Sequence, residues 1–329
     1  MRISGLQPFA LNCVAAALLA GCGGGQPAIG APDATPQTHT IAGHAQRVGS
    51  WMSLASAKDN LLFISDEGTS DVYVYSLSKY RLVGTLTGFS EPRGLCLNKA
   101  GDIWIPNAGD SNLLEYAPGG TTPIGSLNDP GEYPVDCAVD TTTGDLAASN
   151  IISSKPGPGS LSIYSNAIGA PAVVPAFGHT YHDAYDPSGN LFVDGVTADG
   201  AFQFGEIARG EKTVTNLKLK GAVIGAPTNV QYADGNLAIG DDREYSSSVI
   251  YQVAVSGTTA RVIGRTPLHH AHVIAFFILG HRVFCLNSTK YGSVHIAIYK
   301  YPAGGEATRT IQIPGLSLPV GLVVSPVAN

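Results

Sequence analysis

The chain has 329 residues, of which 13% are charged, and its formal net charge is −6. The acidic balance and the lack of a basic stripe exclude a general nucleic-acid-binding protein, so no nucleic-acid partner is expected. With 40 glycines, 14 tyrosines and few charges, the composition is typical of exported β proteins.

The first 21 residues have the features of an export signal. Arg2 supplies a minimal positive region, and the apolar run 9–20 is too short to span a membrane but suits a signal core. The run ends in LAGC (19–22), which resembles a bacterial lipobox. We therefore expect a lipoprotein signal peptide over 1–21 and a lipid such as palmitate on Cys22. A plain secretory signal is the alternative.

The next segment, 22–47, predicts a flexible tether. It is rich in Gly, Pro, Ala, Thr and Gln and shows no hydrophobic period. A lipid and a tether would hold the remaining domain, 48–329, beside a membrane without inserting it. The expected location is therefore the bacterial cell envelope, with the membrane reached through the N-terminal lipid.

The domain is built from a repeat, which residues 92–127 show most clearly. A short apolar strand (94–98) and a Gly-containing turn precede a second strand at 103–105. A polar loop leads to a third strand (113–116), and a Pro-Gly-Gly turn leads to a fourth (122–127). This copy predicts one four-stranded antiparallel sheet.

Further copies follow at intervals of roughly 40–50 residues, the period typical of propeller blades. Their first strands are expected at 134–140, 181–186, 227–232 and 271–278. Their second strands are expected at 146–150, 191–194, 237–241 and 282–287.

The two ends of the domain complete each other. Residues 60–87 supply strands two to four of a blade, whereas 319–325 has the pattern of a first strand with nothing after it. We therefore predict an all-β fold, a six-bladed β-propeller of four-stranded blades, in which the C-terminal strand completes the N-terminal blade and closes the ring. Seven blades would require the segment 38–56 to form strands of its own.

Three of the copies resemble the repeat of NHL propellers: PRGLCLNKAGDIWIPN (92–107), PVDCAVDTTTGDLAASN (134–150) and YHDAYDPSGNLFVD (181–194). The resemblance covers about residues 51–327 and implies a six-bladed fold. It leaves the function open, because such propellers include binding proteins, hydrolases and lyases.

Three cysteines remain after Cys13 in the signal and Cys22, so they cannot all pair. Cys96 and Cys137 fall on the first strands of adjacent predicted blades. Facing sheets lie about 10 Å apart, and a disulfide needs Cα atoms within about 7 Å. We therefore expect Cys96, Cys137 and Cys285 to be buried free thiols, with a 96–137 disulfide as the alternative.

In each four-stranded blade, the start of the first strand and the end of the second strand lie on the same face of the propeller. Residues there surround the mouth of the central channel and are the candidate site residues. Asp136, Asp183 and Asn229 occupy equivalent positions in three consecutive blades. Oxygen ligands converging on one axis suit Ca²⁺, and calcium-dependent lactonases of the six-bladed class resemble this general plan. Four neighbours are expected to contact a ligand at the mouth: Arg93, His182, His272 and Asp194.

The other residues at the ends of second strands are expected to cap the following turns through side-chain hydrogen bonds to the backbone. They are Asp66, Asn107, Asn150, Asp241 and Asn287. The run His269-His270-Ala271-His272, together with His179 and His182, raises a zinc interpretation. No fourth ligand is suitably spaced, so we expect ordinary loop histidines instead.

No nucleophile elbow, HExxH motif, P-loop or dinucleotide fingerprint occurs. We therefore expect a binding or interaction module without a cofactor, whose ligand is a protein, peptide or glycan of the envelope. Its expected exposed contacts are Tyr133, Tyr181 and Tyr245. The alternative is a Ca²⁺-dependent hydrolase or lactonase acting in the channel, with His182 or His272 as general base. A third hypothesis is a protein whose blades only assemble a larger complex.

Overall fold

The first strands of the blades form a ring around one axis. The structure, a computed structural model, describes residues 49–54, 56, 59–153, 158–242, 247–288 and 293–325. The described residues belong to the unit Gln46–Asn329. The signal peptide, Cys22 and the tether lie outside them. Their backbone forms six sheets, five or four strands each.

The N- and C-terminal segments share blade 1. From the outside inward, this blade consists of β1 (Trp51–Met52), β4 (Arg81–Leu86), β3 (Asp71–Ser76), β2 (Leu61–Asp66) and β26 (Pro319–Ser325). The predicted ring closure is confirmed, because β26 pairs antiparallel with β2. The N-terminal segment adds an outer strand to this blade instead, since Trp51 lies opposite Thr85 of β4.

The other blades follow in chain order. Blade 2 consists of β5 (Cys96–Leu97), β6 (Ile103–Asn107), β7 (Asn112–Tyr116) and β8 (Gly125–Asn128). Blade 3 consists of β9 (Glu132–Val139), β10 (Leu146–Ser153), β11 (Ser160–Tyr164) and β12 (Ala172–Pro175). Blade 4 consists of β13 (His179–Tyr185), β14 (Leu191–Val196), β15 (Phe202–Ile207) and β16 (Thr215–Asn216).

Blade 5 has five strands and blade 6 has four. Blade 5 consists of β17 (Lys218–Lys220), β18 (Pro227–Ala233), β19 (Asn236–Asp242), β20 (Ser247–Ser256) and β21 (Thr259–His269). Blade 6 consists of β22 (Val273–Leu279), β23 (Arg282–Ser288), β24 (Val294–Lys300) and β25 (Arg309–Gln312). The six-bladed architecture is therefore the predicted one.

The hydrophobic core is divided into six clusters, and each lies between two adjacent blades. All residues of β2 are buried, because both of its faces are covered. Successive side chains point to opposite faces of a strand. Leu61 and Phe63 accordingly pack toward blade 2, while Leu62 and Ile64 pack toward blade 6. This double burial explains the continuous apolar runs in the inner strands.

The expectation of free thiols at 96 and 137 is wrong. Cys96 and Cys137 form a disulfide, and their Cα atoms are 5.5 Å apart. The 10 Å spacing describes sheets that stack face to face. The blades here radiate from one axis, so their innermost strands lie much closer together. Gly94 N–H even donates to the Val135 carbonyl of blade 3 at 2.9 Å. Cys285 is free and buried as expected.

No helix among the described residues is long and apolar enough to cross a membrane.

Candidate functional site at the channel entrance

A narrow cavity marks the central channel, and several of the residues singled out in the sequence line it. Its walls include Gly94, Asp136, His182, Asn229 and Gly321, which come from five different blades. The cavity has a volume of about 50 Å³. Small-molecule sites usually have about 300–1,000 Å³, so this space suits a few water molecules or an ion.

The channel is narrow because glycines allow the first strands to approach closely. A Cβ on Gly94 would lie 2.8 Å from the Val135 carbonyl oxygen and would also collide with the Asp136 carboxylate. A Cβ on Gly321 would lie 2.8 Å from the Arg93 carbonyl oxygen and 2.9 Å from the Gly94 Cα. These positions therefore close the channel on the side of blades 1 to 3.

The partly buried His182 pairs with the fully buried Asp194 in blade 4. The Asp194 Oδ1 accepts hydrogen bonds from the His182 backbone N–H at 3.1 Å and from its Nδ1 at 2.9 Å. Burial alone would lower the pKa of His182, but the charges of Asp194 and Asp136 and the hydrogen bond to Asp194 outweigh it and raise this pKa. The pair therefore holds the imidazole ring in place beside the channel.

Asp136 and Asp183 form an acid pair between blades 3 and 4. Burial raises the pKa of Asp136 to about 7, against the opposing charge of His182. Burial, followed by the charge of Asp136, raises the pKa of Asp183 well above its usual range. Ser149 Oγ donates to Asp183 Oδ2 at 2.7 Å, whereas Asp183 Oδ1 has no hydrogen-bond partner among the described residues. The two carboxyl groups therefore tend to retain a proton near neutral pH.

Asn229 is near the same cavity but is used differently. Its Nδ2 donates to the Phe276 carbonyl of blade 6 at 2.8 Å, and its Oδ1 accepts from the Val230 N–H at 2.8 Å. The amide thus joins two blades. Among the described residues, no group of three or more His, Cys, Asp or Glu side chains is arranged to hold a metal ion.

The histidines do not converge on one point. His272 Nδ1 pairs with Asp242, His269 Nδ1 lies 3.1 Å from Glu306 Oε1, and the exposed His270 is near the same glutamate. His179 stacks on Tyr181, with ring centroids 6.5 Å apart. His182 and His272 therefore face different acids, and the structure does not bring them into one catalytic pair.

The side chains at the ends of second strands bind more than the following turn. Asp66 accepts backbone N–H bonds from Gly68 and Thr69 of that turn, at 3.0 and 3.3 Å. It also accepts bonds from Ser317 and Leu318, which precede β26, at 2.7 and 2.8 Å. This carboxylate therefore fastens the C-terminal segment to the N-terminal blade.

The equivalent residues of other blades act similarly. Asp241 Oδ1 accepts from the N–H groups of Gly225 and Ala226, and Asn107 Oδ1 accepts from Ser90 N–H at 2.6 Å. All three bonds reach the segment before the first strand of the same blade. Asn150 and Asn287 instead donate to hydroxyl groups of their third strands, at distances of 3.0–3.2 Å. These side chains at the ends of second strands are therefore mainly structural. Asp66 caps its following turn as predicted, whereas the others bind different segments of their blades.

Aromatic and charged side chains form a half-exposed surface at the mouth, which we call the mouth patch: Glu67, Glu91, Arg93, Tyr133, His179 and Tyr181. Arg93 pairs with Glu67 of blade 1 at 2.8 Å and donates to the Tyr133 hydroxyl of blade 3 at 3.0 Å. The Tyr133 hydroxyl in turn donates to Glu91. Arg93 thus links three blades at the mouth. Tyr245, also expected to be exposed, lies outside the described residues.

Sequence reasoning missed a buried polar network beside this site. The carboxyl group of Asp129 is wholly buried and accepts from Ser162 Oγ at 2.6 Å. Burial, opposed by this bond, raises its pKa to about 6. Glu132 accepts from Ser160 Oγ at 2.8 Å in the same network. The turn Asn128-Asp129-Pro130-Gly131 gave no signal that this carboxyl group would be enclosed.

Comparisons with known proteins agree with this architecture and add no activity. No family model and no curated protein matched the chain. Among solved structures, a chain of the nidogen/laminin complex matches with a TM-score of 0.65 at 10% identity, over 82% of this chain and 100% of that one.

Two further solved structures share the fold. A protein of unknown function from Bacteroides caccae has a TM-score of 0.59 at 13% identity, over 82% of this chain and 99% of that one. Hydrazine synthase from Kuenenia stuttgartiensis has a TM-score of 0.54 at 12% identity, over 76% and 75%. At such low identity these similarities show the propeller fold alone.

The acid pair predicts that the protein loses stability as the pH rises. An Asp in an unfolded chain titrates near pH 3.9, whereas Asp136 keeps its proton in the fold until about pH 7. The folded state binds more protons between these limits, so the free energy of unfolding falls through this window. The raised pKa of His182 acts in the same direction.

We therefore expect Asp136→Asn to stabilise the protein near pH 8 by up to about 4 kcal/mol, since the difference between about 3.9 and about 7 corresponds to about 1.4 kcal/mol per pKa unit. The difference in free energy of unfolding between the variant and the wild type should vanish near pH 4. Urea unfolding across this range measures it, with the exposed Asp199 replaced by Asn as a control. A difference that stays constant with pH would contradict the acid-pair account.

Proposed function

We propose that this propeller is a binding module, held at the bacterial cell envelope by a lipid on Cys22 and a tether over 22–47. Support comes from the LAGC sequence at the end of the apolar run and from the interblade disulfide Cys96–Cys137. Disulfides persist in oxidising compartments outside the cytosol. A tethered domain would present its loops to other components of the envelope.

The mouth patch is the proposed binding surface, and it is the observation on which this function rests. Tyrosine and arginine are enriched among the residues that contribute most to binding at interfaces. Here Arg93 lies over the Tyr133 ring, 5.4 Å from its centroid, and Tyr181 lies between His179 and His182. These side chains are already ordered by their contacts, which lowers the entropy cost of binding. The cavity beneath, at about 50 Å³, is smaller than a usual small-molecule site, so a protein, peptide or glycan would bind across the mouth.

The lipid anchor can be tested directly. Expression in a bacterium fed with labelled palmitate should label the wild-type chain and place it in the membrane fraction. Cys22→Ser should lose the label and leave the membrane fraction, whereas Cys13→Ser should lose neither, because Cys13 lies inside the signal. Equal labelling of the Cys22→Ser chain would contradict the anchor.

The binding surface can be tested by site-specific photo-crosslinking in the same cells. A photoreactive phenylalanine analogue at Tyr181 should give a discrete crosslinked protein or glycan, and Arg93→Ala should reduce its yield because the patch loses its central cation. The same analogue at Lys99, an exposed residue in the turn after a first strand and so on the opposite end of the blades, is the matched control. Equal products from both positions, or none from Tyr181, would contradict the proposal.

A second candidate function rests on the acid pair: a Ca²⁺-dependent hydrolase or lactonase. The partnerless Asp183 Oδ1 beside Asp136 is the observation that favours it. The residues fit such an ion poorly, since Ca²⁺ takes six to eight oxygen ligands and the Asn229 amide is engaged by backbone groups.

Thermal unfolding of the purified chain separates the two candidates. If the acid pair holds a proton, millimolar Ca²⁺ and EDTA should leave the melting temperature unchanged. A ligand at 100 times its Kd would stabilise the fold by about 2.7 kcal/mol. A rise in melting temperature with Ca²⁺ that Asp183→Asn abolishes would establish the cation site and favour the hydrolase.

A further inference from the structure

Blade 4 has an incomplete outer strand. Its third strand, β15, has six residues, but β16 pairs only with Gly205 and Glu206. The fourth strands of the other five blades (β4, β8, β12, β21 and β25) each pair with at least four residues of the third strand. The start of β15, at Phe202 and Gln203, therefore has no fourth-strand partner among the described residues and forms an open sheet edge.

The edge is open because the chain leaves blade 4 early. Leu217 N–H donates to the Phe204 carbonyl at 2.8 Å. From Lys218 onward the chain instead pairs parallel with β21 of blade 5. Backbone groups alternate in direction along a strand. Phe202, two residues before Phe204, therefore points its N–H and C=O toward the vacant position.

A groove lies between this edge and β17, which is itself the outermost strand of blade 5. Its walls are formed by the segments 200–204, 216–219 and 222–225. The groove has a volume of about 740 Å³, within the range of ligand sites. Val223 on its wall is 79% exposed and Phe202 is half-buried. Two open strand edges and an apolar surface therefore border one groove.

The blade 5 side of the groove is positively charged, although the whole chain is acidic. Lys218 and Lys220 are exposed on β17, and Lys220 lies directly opposite Arg261 of β21. Arg265 donates to the Gly221 carbonyl at 2.7 Å. None of the ion pairs among the described residues involves these four cations. Like charges directly across a sheet repel each other, so this positive cluster is complementary to an anionic partner.

We propose that this groove binds an extended acidic peptide segment of a partner protein by strand addition. The open edge at Phe202 would supply backbone hydrogen bonds, as in other proteins that recognise peptides by extending a sheet. Apolar side chains of the peptide would pack on Phe202 and Val223. Alternate acidic side chains would face Lys218 and Lys220. The site is on the rim of the ring, separate from the mouth patch, so it goes beyond the function proposed above.

Selection from a phage-displayed library of random linear peptides on the full chain tests this proposal. The selected peptides should alternate Asp or Glu with apolar residues. Lys218→Glu/Lys220→Glu should weaken their binding by about tenfold or more, the effect of two lost surface ion pairs with repulsion added. Lys99→Glu/Lys300→Glu, the same change at two exposed lysines elsewhere, should leave binding within about twofold.

Strand addition has its own signatures. Methylation of alternate backbone nitrogens in a selected peptide should abolish binding, and the peptide should slow hydrogen exchange at the Phe202 amide. Failure to enrich acidic peptides, or binding that tolerates both the lysine reversals and the methylated backbone, would overturn the proposal. So would a dimer of this chain that the Lys218→Glu/Lys220→Glu change dissociates, because a second copy would then be the occupant. None of these outcomes bears on the crosslinks from Tyr181.

Discussion

The fold depends on the convergence of first strands at a single axis. Each inner strand contacts the inner strand of the next blade, in the order β26, β5, β9, β13, β18, β22 and back to β26. This contact encloses the second strand of each blade between the two neighbouring blades. It also creates the six hydrophobic clusters between adjacent blades. The circle is complete only because β26 pairs with β2, and the buried Asp66 holds that junction through backbone N–H groups on both sides. A buried carboxylate that accepts several backbone N–H groups forms strong, charge-assisted hydrogen bonds.

The same convergence determines what the channel can do. Gly94 and Gly321 bring the strands together, and the remaining space holds a few polar side chains rather than a ligand. Burial there raises the pKa values of Asp136 and Asp183, and His182 and Asp194 pair beside them. Perturbed carboxyl groups often mark active sites, but here the space that a substrate needs is missing. Recognition by this protein is therefore best sought on its outer surfaces, at the mouth and along the rim.

Sequence patterns predicted the parts of the fold that repeat. The alternation of apolar strands and Gly-containing turns located the blades, and the unpaired pattern at 319–325 predicted the closing strand. The disulfide was predicted only as the alternative to free thiols, because the spacing of sheets stacked face to face does not describe blades that radiate from an axis. The short fourth strand of blade 4 was not predicted. β16 ends at Asn216 because the following residues pair with β21 of blade 5, and the local sequence does not encode that choice.

The candidate site was predicted in part. The repeat placed Asp136, Asp183 and His182 together, but the partners of Asn229 and His272 come from other segments.

Native-state hydrogen exchange tests the closed ring most directly, because it reports the free energy at which each strand opens. If β26 is an integral part of blade 1, the amides of 319–325 should exchange with the same free energy as those of Leu61–Asp66 and of the inner strands across the ring, such as Val273–Leu279. All of them would then exchange only when the whole domain unfolds. Exchange of 319–325 at a clearly lower free energy, while β2 stays protected, would contradict the account, because the ring would then be stable without its closing strand.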